Sequence, residues 1–150
     1  PARQEQLFVE QLKLTREFDL PVLLHVRRAV DQALKQLRRF RVRGGVAHAF
    51  NGSRQQADEF IKLGFVLGFG GAMTFSGSTR IRDLAATLPI ASIVLETDAP
   101  DIPPAWLNGG RNAPVELSHI AKVLADLRGM SVDEVIAATA SNARRILPGL

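Results

Sequence analysis

The sequence contains no cysteine and no tyrosine, and it has a single tryptophan. Without cysteine, disulfides and thiolate metal sites are excluded. No apolar run approaches the ~20 residues needed to cross a bilayer. The opening residues, PARQEQLFVEQ, are polar and lack the apolar segment of a secretory signal. These absences set the expectation of a cytoplasmic protein with no membrane partner.

What is present is ordinary for one globular domain. A chain of 150 residues can bury a sizeable core, and 46% apolar and 23% charged side chains match common soluble proteins. Residues 1–150 therefore read as one domain without an internal linker. Basic residues outnumber acidic ones by 19 to 15, for a net charge of +4. Part of that excess lies in RRFRVR at 38–43, with Arg27, Arg28 and Lys35 before it. Two readings stay open: a solvated helix end, where cations are favoured, and a phosphate-binding patch.

The hydrophobic pattern alternates between two periods. Helical spacing marks 3–18, about 30–40, 53–63, 80–88, 114–127 and the segment after Ser131. Ser53 with Gln56, and Ser131 with Glu134, have the spacing of capping boxes. Short apolar runs at 21–25, 46–50, 65–69 and 92–96 read as strands. Strands that are apolar throughout and separated by helices predict a parallel sheet in an α/β fold. Two architectures compete, a doubly wound sheet and a (β/α)8 barrel, and the barrel needs about 250 residues. The first element is a helix with no strand before it, and residue 1 is proline. The expectation is thus a partial barrel whose N-terminal strands lie upstream.

Three polar residues fall where such a sheet carries its site. His25 ends the first strand in LLHVRR, His48 lies in the second in GVAHAFNGS, and Asp98 follows the fourth in LETDAP. Carboxyl ends of parallel strands share one side, so these three converge there. Each also has a plainer explanation. The histidines fit as hydrogen-bonded core residues, Asp98 as a turn cap, and Glu96 as the partner of an arginine. Against that stands a coincidence: two of only three histidines occupy strand ends, with an acid on another. The third, His119, sits in an amphipathic helix and reads as structural. Imidazole and carboxylate together suit zinc, manganese or another divalent ion, and open positions on such an ion activate water.

The segments LPVLLHVRRA, GVAHAFNGS, LGFVLGFGGAMTF and IVLETDAPDIP, in this order, resemble the TatD family of metal-dependent deoxyribonucleases, in its YjjV-like branch. The likeness runs on through RNAPVELSHIAKVLADLRG to SNARRIL, covering essentially the whole chain. It implies a barrel of the amidohydrolase type with a metal centre, often binuclear, taking Zn, Mg or Mn. By the family pattern His25, His48 and Asp98 are metal ligands. Asp98 also orients or deprotonates the attacking water, and Glu96 is its acidic partner in catalysis. Arg27, Arg111 and Asn112 match substrate-binding positions, the last two in the loop that shapes the mouth. Asn51 and Ala113 depart from the pattern, which usually has serine or threonine and often glutamate there.

The implied activity is hydrolysis of phosphodiester bonds in DNA, from 3′ ends of single strands. The family's opening H-x-H pair and bridging glutamate have no counterpart in this sequence. The missing half is then expected in a longer parent, in a partner chain, or replaced by self-association through open barrel edges. Two other readings remain: a hydrolase of a small phosphate ester or cyclic amide, and a non-catalytic partial barrel that only binds.

Overall fold

A computed structural model describes residues 2–149. Among these residues six α-helices and four strands occur, alternating up to the last strand, after which two helices follow. Helix α1 (Ala2–Glu17) leads into β1 (Val22–His25), followed by α2 (Val30–Arg39), β2 (Gly45–His48) and α3 (Arg54–Lys62). Then come β3 (Phe65–Phe69), α4 (Thr79–Thr87), β4 (Ile93–Leu95), α5 (Leu117–Arg128) and α6 (Val132–Ile146). Among the described residues no helix is long and apolar enough to cross a membrane.

The helix boundaries follow local chemistry. Both capping boxes form: Ser53 accepts from the Gln56 N–H and Ser131 from the Glu134 N–H, each with the reciprocal bond. Helix α5 starts later than the expected 114, because Pro114–Glu116 forms a single 3-10 turn before it. Gly129, at φ +62°, closes that helix in the left-handed conformation.

The strands pair in parallel, in the order β1-β2-β3-β4. Every crossover therefore moves one strand further the same way. A doubly wound sheet reverses direction at its switch point, and no reversal occurs here. The four strands form an arc of a (β/α)8-type barrel, as the pattern predicted.

Strand alternation decides what each face carries. Leu24, Ala47, Leu67 and Ile93 face the helices, in a core with Leu34, Phe60, Leu84 and Leu124. Phe60 is fully buried and meets Phe50 and Phe65 edge-on, with centroids 5.9 and 5.8 Å away. The other face carries Val46, Val66 and Val94, closed by Ile146 from the end of α6. Buried Asn142 anchors that helix, donating to the carbonyls of Ile90 and Ile93 at 2.7 and 2.8 Å.

Strand β1 is an edge, and apolar side chains around it are open to solvent. Leu23 is 69% exposed and Phe18 63%, with Leu14 and Leu20 nearby in sequence. Open edges and uncovered apolar faces are what a partial barrel is expected to present.

Candidate metal centre

His48 was expected inside its strand and is instead its last residue. Ala49 adopts φ +46° and ends β2 there. This brings His48 level with His25, its register partner at the end of β1. The two rings lie 4.9 Å apart, and His25 Nδ1 and His48 Nε2 share a hydrogen bond of 2.8 Å. The other nitrogen of His48 faces the acids. Its Nδ1 stands 3.8 Å from Glu96 Oε1 and 3.9 Å from Asp98 Oδ1. His48 is thus the middle of a line running from β1 to the segment after β4.

Glu96 is carried in by the sheet. Its N–H donates to the Phe69 carbonyl at 3.1 Å, extending the β3–β4 ladder by one residue. Its Oε1 accepts the Ala49 N–H at 2.6 Å, so the acid holds the turn that places His48. Gly68 makes this possible, since a Cβ there would stand 2.0 Å from Glu96 Oε2. A glycine inside a strand signals close approach of another group, and LGFGG carried that signal in the sequence. Burial pushes the Glu96 carboxyl up to about 7; the Ala49 N–H opposes the rise and the charge of Asp98 adds to it.

Asp98 follows in a left-handed conformation, at φ +53°. The loop beyond it is held by Asn112, which is buried at 2% exposure. The Asn112 amide donates to the carbonyls of Thr97 and Asp101 at 2.7 and 2.6 Å, and its oxygen accepts from Ala113. Expected to touch substrate, Asn112 instead has its amide used inside the loop, where it braces the segment carrying Asp98. Arg111 beside it is exposed, as is Arg27 after β1. His119 lies elsewhere, hydrogen-bonded at 3.2 Å to Glu116, which also accepts from Trp106. That agrees with its structural reading.

The donor set fits a divalent cation in its chemistry, with two imidazoles and two carboxylates. Among the described residues, Glu96 and Asp98 come within ion-pair distance of His48 alone, so no lysine or arginine balances two neighbouring acids. The side chains form a line rather than a cage. No three His, Asp or Glu side chains among the described residues converge as the ligands of one ion.

Fold and cluster together define a barrel-type α/β protein with its polar site at the carboxyl ends of the strands. The chain belongs to the TatD family: the family described as TatD related DNase matches residues 1–148. It is 44% identical over 141 residues to the uncharacterized metal-dependent hydrolase YjjV of Escherichia coli K12, covering 93% of this chain and 54% of that protein. The 3′-5′ ssDNA/RNA exonuclease TatD of Klebsiella pneumoniae is 35% identical over 153 residues, with 97% and 58% covered. The crystal structure of the Escherichia coli K12 YjjV protein, a TatD homologue, superposes with a TM-score of 0.93 at 42% identity, covering 97% of this chain and 57% of that one. A TatD family hydrolase from Entamoeba histolytica, at 18% identity and TM-score 0.77, shares the fold; 93% and 55% of the two chains are covered. The chain spans a little over half the length of these relatives.

Proposed function

We propose that this chain supplies part of the active site of a metal-dependent phosphodiesterase that degrades single-stranded DNA from its 3′ end. The observation that carries the proposal is the line from His25 through His48 to Glu96 and Asp98, with two acids and, among the described residues, no lysine or arginine to balance them. The exonuclease name of the Klebsiella relative supports the substrate, and the name of YjjV supports the metal.

In this reading His25, His48 and Asp98, which form a line rather than a cage in this structure, are the residues that would hold the cation, whether zinc, magnesium or manganese. When bound it lowers the pKa of water and offsets charge on the phosphoryl oxygens. The protein's own groups do the rest. Asp98 Oδ1 takes the proton of the attacking water. Glu96, through the Ala49 N–H, keeps His48 at the strand end. Arg27 and Arg111 hold the phosphate by bidentate hydrogen bonds. Asn112 fixes the loop on which Asp98 and Arg111 depend.

One observation favours a second reading, a small phosphate ester in place of DNA. The cavity beside Glu96, Thr97 and Asp98 measures about 110 Å³, below the roughly 300–1,000 Å³ of ordinary ligand pockets. Competition between a single-stranded oligonucleotide and a small phosphate ester, in protein containing the whole barrel, separates the two.

The first test is metal content after dialysis, by mass spectrometry, of the wild-type chain and His48→Ala. The expected result is metal retained by the wild type and lost in the variant. Equal metal in both rejects His48 as a ligand.

A further inference from the structure

Arg80 is the second residue of α4, and its guanidinium Nη2 donates to Asn51 Oδ1 at 2.6 Å. Asn51 lies three residues past His48, on the loop leaving β2. Asn51 and Ile81, the residue after Arg80, both line the strand-end cavity with Gly70, Glu96 and Asp98. Arg80 therefore stands at the rim of the site. It follows β3 in the chain, whereas Arg27 follows β1. Strands two apart are separated by about 10 Å, so the segments that carry the two arginines leave the sheet at different places.

Most other ordered arginines are held differently. Arg38, Arg43 and Arg54 pair with Glu59, Asp19 and Asp58. Arg82, Arg128 and Arg145 donate to backbone carbonyls, and Arg145 adds a longer 3.5 Å contact to Asn142 Oδ1. Arg80 is oriented by a neutral side-chain amide, and among the described residues no carboxylate lies within ion-pair distance of it. A neutral acceptor fixes the guanidinium without cancelling its charge, and most of its five N–H donors stay available. Glycines 68, 70 and 71, which line the same cavity, pack so closely on Glu96 and Ile102 that a Cβ at any of them would collide.

We propose that Arg80, positioned by Asn51, forms a second phosphate subsite, which binds a phosphodiester group flanking the scissile one. The inference rests on the nucleic-acid reading above and extends it to a residue that the family motifs did not single out. The departure at Asn51 acquires a purpose here: serine or threonine is shorter, and the asparagine amide spans the gap to Arg80.

The test is fluorescence anisotropy of a labelled single-stranded oligothymidine with the 150-residue chain, in chelator, across a potassium chloride series. Arg80→Ala is expected to weaken binding about tenfold at low salt, the loss of one charge-assisted contact. It also lowers the slope of log affinity against log salt by about 0.7, the value for one phosphate on a single strand. Arg80→Lys keeps the slope. Asn51→Asp, which offers the guanidinium a carboxylate, behaves like Arg80→Ala. Circular dichroism melts matching the wild type confirm that exposed Arg80 is not needed for folding. If the wild type binds and Arg80→Ala matches it in affinity and slope, the subsite is overturned while the nuclease reading stands. If the wild type does not bind the oligonucleotide at all, the subsite falls, and the nuclease reading is decided by the metal and competition tests above.

Discussion

Glu96 is where the charge balance of the site is most exposed to experiment. Its carboxyl is raised to about 7, mainly by burial, so the folded chain holds this proton more tightly than the unfolded chain does. The associated stability is fully present below the unfolded value near 4.5 and is lost as pH rises through about 7. Glu96→Gln keeps an oxygen for the Ala49 N–H and removes the titration. In chelator, the variant should gain stability over the wild type between those pH values, levelling at up to about 3 kcal/mol above them. Thermal melts across pH check this; parallel curves would show that no buried charge is being formed. Sequence alone placed His25, His48, Glu96 and Asp98 in one region, because parallel strand ends share a side. The bracing by Asn112 was not legible there. It depends on which carbonyls a loop turns inward, and residue spacing does not encode that.

At the scale of elements, two anchors of α6 make unequal predictions. Ser131→Ala removes a solvent-exposed cap and should cost about 1 kcal/mol. Asn142→Ala removes two buried donors and takes from the Ile93 carbonyl its side-chain partner, while the Ile90 carbonyl keeps the Ile93 N–H, so about 2–3 kcal/mol is expected. Urea denaturation of both variants tests the order, and a larger loss from Ser131→Ala would contradict it. Strands and helices were legible because apolar runs and capping boxes are local signals. The end of β2 was misplaced by two residues because VAHAF continues apolar past His48, while the left-handed turn at Ala49 is imposed by Glu96 from a distant segment.

For the whole molecule, the order of the strands bears out the partial barrel that the sequence reading favoured over a doubly wound sheet. Crossover direction is a relation among elements, and no single stretch of residues carries it. The exposed apolar side chains Leu23 and Phe18 have a measurable consequence. Leu23→Thr with Phe18→Ser should raise the protein concentration at which light scattering sets in, with the melting temperature little changed. An unchanged threshold would mean that these side chains do not drive association.

The alignment of His25 with His48 in the β1–β2 register has a last implication. Their 2.8 Å contact exists only while two strands distant in sequence stay in step, and a slip of one residue would turn one ring to the other side of the sheet. The imidazole pair is therefore a built-in gauge of tertiary order. Proton resonances of the two rings should merge with those of free histidine in the same step that melts the sheet, so anything that loosens β1 is announced first where the chemistry sits.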